Sequence, residues 1–283
     1  MDFSDFNITI VGLGLIGGSF AMALKELKPK NIWAIDIDSS VLKTAEMMNI
    51  IDKGYTSPQI PLMDSDVVIL AVYPQKTIDF LKTNMNLFKS GAVITDTAGI
   101  KSDLLREIMP ILRADLDFIG GHPMAGKEES GLKAATPDMF KHANYILTPI
   151  DKNKEKNINL IKSIAVDMGC KRVVYLTPLK HDAIIAYTSQ LPHIIAVSLI
   201  DCNSSIMELS KFVGEGFKDT TRVATINEEL WPELLLFNRE NIIEKIEDFE
   251  NNIKEIKNAI LNGDEVFLKK RFQRATNKRK ELG

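Results

Sequence analysis

The 283-residue sequence predicts an α/β fold: a doubly wound, mostly parallel sheet followed by an all-helical domain. Three observations carry this expectation. Apolar, β-branched runs alternate with helical periods from Ile8 to Leu176; a glycine-rich turn sits at the first strand–helix junction; and after Thr177-Pro178 the strand pattern stops. Alternation of this kind builds a sheet covered by helices on both faces.

Ile8–Val11, Ile32–Ile35, Val67–Val72, Val93–Thr95, Phe118–Ile119, Tyr145–Leu147 and Val173–Leu176 read as strands. Most are continuous apolar runs without alternation, as strands buried on both faces require. Ile16–Leu27, Ser102–Leu112 and Asn157–Met168 are long enough for the intervening helices. From Lys180 onward no strand is convincing. Ile242, Ile246, Phe249, Ile253, Ile256 and Ile260, spaced 4, 3, 4, 3, 4, draw an apolar stripe down a long helix. Gly263-Asp264 reads as a helix stop and a new N-cap. The basic run Lys269, Lys270, Arg271, Arg274, Lys278, Arg279 and Lys280 reads as a solvated helix face near a chain end. A boundary is therefore expected near residue 177, with residues 1–176 forming the sheet domain and 177–283 the helical one.

Composition narrows the partners. Thirty-five basic residues against 38 acidic ones leave a net charge of −3, so nothing global favours nucleic acid or an anionic membrane. Two cysteines and four histidines leave little room for a structural zinc or a disulfide framework, and point to a reducing, cytoplasmic compartment. The acidic start, Met1-Asp2-Phe3-Ser4-Asp5, lacks the basic region of a signal peptide. Two uncharged stretches, Phe6–Leu24 and Ala183–Ile200, approach a bilayer span in length. The first holds four glycines in seven positions and reads as strand, turn and helix. The second holds Ser189, Gln190, Pro192 and His193, which suits a buried helix lining a site better than lipid.

Gly12-Leu13-Gly14-Leu15-Ile16-Gly17 is a G-x-G-x-x-G between the first strand and a helix. In that context it is the fingerprint of a Rossmann-type dinucleotide site. Gly12 permits the tight turn, Gly14 lets backbone approach the pyrophosphate, and Gly17 allows close strand–helix contact. The helix N-terminus then offers free N–H groups to phosphate. Asp36 stands at the end of the second strand, where a carboxylate accepts from the ribose 2′-OH and repels a 2′-phosphate. The next cation is Lys43, so NAD is expected rather than NADP.

Three further clusters bear chemistry. Gly120-Gly121-His122-Pro123-Met124-Ala125-Gly126 puts a histidine where a strand ends, the side of an open sheet that binds ligands. Alone, it would read as a surface-loop histidine. His181-Asp182 precedes Ser189-Gln190-Leu191-Pro192-His193, in which Ser189 and His193 share a helix face; alone, His193 reads equally well as a core histidine. Gly214-Glu215-Gly216-Phe217-Lys218-Asp219-Thr220-Thr221-Arg222 is a turn leading to two cations, Lys218 and Arg222, or an ordinary exposed loop.

Taken together, in order and spacing, these segments resemble the prephenate dehydrogenase family across nearly the whole chain. Trp231 and Asn238 add to the resemblance. It implies a homodimer of two-domain subunits, with the helical domain at the dimer core and the active site between domains. By motif, His122 matches the catalytic histidine, and Arg222, His193 and Ser189 match substrate-pocket residues. Glu128 and Lys218 fall at positions the family uses around the pocket entrance, and Gln190 stands where a histidine is common. One departure from the pattern bears on the chemistry. Where the family commonly reads Gly-Ser-Val-Lys, with the serine orienting the catalytic histidine, this chain reads Ala98-Gly99-Ile100-Lys101. A hydroxyl of Thr95 or Thr97, a water, or direct approach of the backbone to the cofactor would have to take its place.

The resemblance implies NAD-dependent oxidation and decarboxylation of prephenate, with neutral His122 taking the hydroxyl proton, Arg222 holding a carboxylate, and no metal. Arogenate dehydrogenase is the nearest alternative. A β-hydroxyacid dehydrogenase would need a catalytic lysine and does not explain the Gly-His-Pro-Met-Ala-Gly turn; a non-enzymatic NAD sensor would not need His122, His193 and Arg222. The helical domain runs to Gly283, so no distal tyrosine-sensing module is expected.

Overall fold

The computed structural model describes residues 1–127, 129–202 and 209–281. The strands are β1 (Asn7–Val11), β2 (Asn31–Ile35), β3 (Lys53–Tyr55), β4 (Val67–Leu70), β5 (Val93–Asp96), β6 (Asp117–Pro123), β7 (Asn144–Thr148) and β8 (Arg172–Tyr175). The helices are α1 (Leu15–Glu26), α2 (Ser39–Met47), α3 (Gln59–Asp64), α4 (Pro74–Asn84), α5 (Ser102–Ile108), α6 (Glu155–Asp167), α7 (Pro178–Ile185), α8 (Leu191–Asp201), α9 (Glu215–Thr221), α10 (Leu230–Phe237), α11 (Arg239–Leu261) and α12 (Glu265–Glu281).

The described strands form one sheet in the order β3-β2-β1-β4-β5-β6-β7-β8. The first six run parallel in the dinucleotide-binding order, and the chain direction reverses only between β6 and β7. Every residue of β1 and β4 is buried, which is why β4 reads as an unbroken apolar run and β1 as a mainly apolar one, with Asn7 and Thr9 buried in it. Two apolar cores result. One holds Ile8, Ile10, Phe20, Leu24, Phe140 and Leu147; the other holds Val68, Leu70, Ile94, Leu104 and Phe118. All seven expected strands are present. The eighth, β3, has no counterpart in the sequence pattern: Lys-Gly-Tyr has no apolar run, and its glycine is needed because a Cβ at Gly54 would lie 2.7 Å from Leu42.

Tertiary contacts divide the chain into two compact units, Met1–Asn238 and Arg239–Gly283. In the first, α7 runs into α8 through a π turn over Ala186–Gln190, in which the Leu191 N–H reaches back to the Ala186 carbonyl. Pro192, at the start of α8, has no N–H for the regular ladder. Pro178–Asp201 is long and apolar enough to cross a bilayer, yet His181, Asp182 and Gln190 are buried within the unit. In the second unit α11 and α12 pack together through the Gly263 turn (φ +63°), and the Asp264 carboxylate caps α12 by accepting from the Phe267 N–H. Along the apolar stripe of α11, Ile253 and Ile260 are exposed.

Candidate active site

The site forms at the C-terminal ends of β1, β4, β5 and β6, around a cleft of about 570 Å³ contained in the Met1–Asn238 unit. On one wall is the glycine turn. Gly12 has φ +88°, and a Cβ at Gly17 would lie 1.8 Å from the Gly12 carbonyl oxygen, so the start of α1 can pack against the turn only without side chains. Gly14 caps α1 and has no atom within 4 Å of where a Cβ would be, leaving room for a phosphate against the helix N-terminus. Asp36 follows β2. Its Oδ2 accepts from the Leu13 N–H at 2.8 Å and its Oδ1 from the Asp38 N–H at 2.9 Å. The carboxylate is thus held against the turn, with lone pairs remaining for ribose hydroxyls. These residues fit a dinucleotide.

His122 stands on the opposite wall, half-buried at the end of β6. Its Nδ1 is 2.9 Å from Nε2 of His181 on α7, and the two rings meet edge to face at 5.1 Å. Nδ1 of His181 is in turn 2.7 Å from Oδ1 of Asp182. Asp182 also caps α5, its two oxygens accepting from the N–H groups of Lys101 at 2.8 Å and Ser102 at 2.7 Å. Burial holds the His122 pKa well below the ordinary histidine range, with His181 and Lys101 adding to the effect. Burial likewise pushes His181 down, against the opposing pull of Asp182. Asp182 lies below the usual carboxylate range: burial raises it, but hydrogen bonds from His181 and Ser102 outweigh that.

Beneath His122 lies a fully buried ion pair, Lys101 Nζ to Asp96 Oδ2 at 2.6 Å. Lys101 also donates to the carbonyls of Ala98 and Ile100, and Asp96 Oδ1 accepts from the Gly121 N–H. The pair fastens the β5–α5 loop to the backbone immediately before His122. Gly121 lacks a side chain because a Cβ there would lie 2.8 Å from the Asp96 carbonyl and the Tyr145 hydroxyl.

The third wall comes from the helices after residue 177. Ser189, His193 and Arg222 all line the cleft. The π turn places the Ser189 carbonyl 2.8 Å from His193 Nδ1, and His193 stacks on Trp231 with ring centroids 3.9 Å apart. Asn238 donates to the Asp182 carbonyl and to Gln190, which donates to the Leu234 carbonyl. Besides the contacts of His181 and Asp182, Asn227 donates to the Tyr73 hydroxyl and the Gln75 N–H donates to Glu233, joining the walls further.

Among the described residues, one expected pocket residue is not brought there. Lys218 does not line the cleft; it is exposed on α9, 2.9 Å from Glu215. Glu128 lies outside the described residues. Neither threonine supplies the hydroxyl absent at Gly99: Thr95 donates to the Ile119 carbonyl at 2.7 Å, and Thr97 Oγ1 is 3.4 Å from the Leu70 carbonyl. The sequence reading missed the contact of His181 with His122 and the Lys101–Asp96 pair. The adjacent His-Asp dipeptide was the available signal for the first; Lys101, in the loop after Asp96, carried none for the second.

A helix N-terminus open to phosphate, a carboxylate on the ribose side and a neutral histidine across the cleft define a Rossmann-type, dinucleotide-dependent dehydrogenase. Residues 20–175 match the nucleotide-binding domain of prephenate dehydrogenase, and residues 177–274 match its dimerization domain. The chain belongs to the prephenate dehydrogenase family. It is 31% identical to the prephenate dehydrogenase of Bacillus subtilis, over 98% of this chain and 76% of that one. It is 28% identical to the cyclohexadienyl dehydrogenase of Zymomonas mobilis, over 98% and 96%. The crystal structure of prephenate dehydrogenase from A. aeolicus, in complex with hydroxyphenyl propionate and NAD+, superposes with a TM-score of 0.91 at 32% identity, covering 98% of each chain.

Proposed function

We propose that this protein is an NAD-dependent prephenate dehydrogenase of tyrosine biosynthesis, converting prephenate to 4-hydroxyphenylpyruvate and carbon dioxide. The observation that carries the reading is the convergence, on one cleft, of the nucleotide turn, His122, and the Ser189, His193 and Arg222 side. When bound, the oxidised dinucleotide accepts a hydride from the ring carbon that bears the hydroxyl. His122, kept neutral, takes the hydroxyl proton as that C–H bond breaks. The resulting ketone is conjugated with the two ring double bonds, which makes the ring carboxylate vinylogous to a β-keto acid. The bond to that carboxylate then breaks, carbon dioxide leaves, the electron pair passes through the ring to the ketone oxygen, which takes a proton back from His122, and aromatisation drives the step. Arg222 pairs with a substrate carboxylate through charge-assisted hydrogen bonds. His193, fixed against Trp231, and Ser189 shape the same pocket.

Asp36 favours NAD over NADP, because a 2′-phosphate would sit against a carboxylate already clamped by two backbone N–H groups. The similarity to a cyclohexadienyl dehydrogenase supports arogenate as the second reading for the substrate. Purified protein given NAD with prephenate and then with arogenate tests both, read from the near-ultraviolet absorbance of the reduced cofactor. Turnover of prephenate supports the reading, turnover of arogenate alone selects the second, and turnover of neither refutes both.

The protein works as a cytoplasmic homodimer in this reading, built through the helical part that begins near residue 177. The match to a dimerization domain supports it, as do the exposed apolar side chains Leu179, Tyr187, Ile253 and Ile260. Pro178–Asp201 belongs to that assembly and not to a membrane, because its buried His181, Asp182 and Gln190 bond to neighbouring protein groups.

A further inference from the structure

We propose that His181 and Asp182 are positioning residues for His122. They hold its ring in the tautomer protonated at Nδ1 and keep the Nε2 lone pair on the cleft for the substrate hydroxyl. The inference rests on the reading of His122 as the base.

The argument begins at Asp182. An ionised carboxylate only accepts, so the 2.7 Å contact requires a proton on Nδ1 of His181. Burial disfavours a second proton on either ring, so Nε2 of His181 is an acceptor. His122 Nδ1, 2.9 Å away, must therefore donate. That leaves Nε2 of His122 unprotonated on a ring that lines the cleft, with no partner for it among the described residues. The opposite assignment would set a histidine lone pair against the Asp182 carboxylate.

The chain of contacts is anchored throughout. His181 is 0% exposed. The backbone N–H groups of Lys101 and Ser102 hold both oxygens of Asp182, and Asn238 holds its carbonyl. The other charges beside the histidines, Lys101 and Asp96, are satisfied by each other. Gly99 offers no side chain to orient the ring, and the hydroxyls of Thr95 and Thr97 are turned to backbone carbonyls. His181 is the side chain that the structure sets against Nδ1. When the substrate O–H bond breaks, the proton lands on Nε2; His122 becomes a cation, Nδ1 still donates to His181, and the negative Asp182 lies one ring further on.

The test uses the full-length protein with ¹⁵N-labelled histidine. With only four histidines in the chain, tautomers can be assigned individually by ring NMR. Without substrate at neutral pH, His122 and His181 should both be protonated at Nδ1 and not at Nε2. His181→Asn keeps a donor near the Nδ1 position for Asp182 but loses the acceptor for His122. It should release His122 to a tautomer mixture and lower kcat about 10–100-fold, with both KM values within about three-fold. His181→Gln, whose amide oxygen reaches towards the Nε2 position, should recover most of the turnover and restore the tautomer. A wild-type spectrum showing His122 protonated at Nε2 overturns the proposal, and it decides the matter even if a variant fails to fold. Wild-type kcat and tautomer in a folded His181→Asn protein overturn it equally. Absence of turnover with either substrate, alongside the expected spectrum, would count against the assigned function and leave the positioning intact.

Discussion

Replacing Lys101 with methionine keeps most of the side chain's volume and removes one buried charge. Lys101 and Asp96 are both 0% exposed and 2.6 Å apart, so Lys101→Met leaves the Asp96 carboxyl in the core without its counter-ion. Breaking such a pair from one side costs about 3–5 kcal/mol. Asp96 keeps hydrogen bonds from the N–H groups of Ala98 and Gly121, whereas the Ala98 and Ile100 carbonyls lose a donor. The lower end, about 3 kcal/mol, is therefore expected, corresponding to a Tm lower by roughly 6–12 °C. The change also has a kinetic signature. As the proposed base, His122 acts only when neutral, so the rate should fall as pH drops through its folded pKa, which burial, His181 and Lys101 hold below the ordinary histidine range. Without Lys101 that acid limb should move to higher pH, while remaining below the ordinary range because burial persists. Thermal unfolding followed by circular dichroism, together with a pH–kcat/KM profile, measures both effects. A Tm within about 2 °C of wild type, which corresponds to roughly 1 kcal/mol or less, and an unmoved limb would refute the reasoning.

His122→Asn should lower kcat by about 10²–10⁴-fold, leave KM within a few-fold and abolish the acid limb; near-normal kcat with the limb intact would shift the assignment of the base to His193. Arg222→Ala should chiefly raise the substrate KM, by a loss of about 1.5–3 kcal/mol in binding, with NAD affinity unchanged by titration. In a comparison of kcat/KM, NAD should exceed NADP by about ten-fold or more, and equal values would remove the role given to Asp36. Light scattering should find a dimer at micromolar concentration, and a stable, active monomer would contradict the part given to the helical segment.

Much of this protein was legible in the linear pattern. Strands buried on both faces need mainly apolar, β-branched runs, so β1, β4 and β5 were readable, whereas the short edge strand β3 had no such run. The glycine turn was readable because its constraints are local: Gly12 needs a left-handed φ, and Gly17 packs on Gly12, close by in the chain. His122, Ser189, His193 and Arg222 were found through motif order, and all four line the cleft. What spacing could not reveal were pairings between distant residues. His122 meets His181 across 59 positions, Asp182 caps a helix 80 positions earlier, and Asn238 reaches back 56 positions to the Asp182 carbonyl. Local propensity carries no information about such partners. Lys101 looked like any loop lysine until the fold enclosed it beside Asp96, and Lys218, expected near the pocket, pairs with Glu215 on the exposed side of α9. The sequence by itself determined the element types, the nucleotide turn and the histidine available for chemistry, because short-range sterics and burial period are written residue by residue. The tertiary structure alone decided which nitrogen of that histidine faces the cleft, because a tautomer is set by hydrogen-bond partners that only the folded chain brings together.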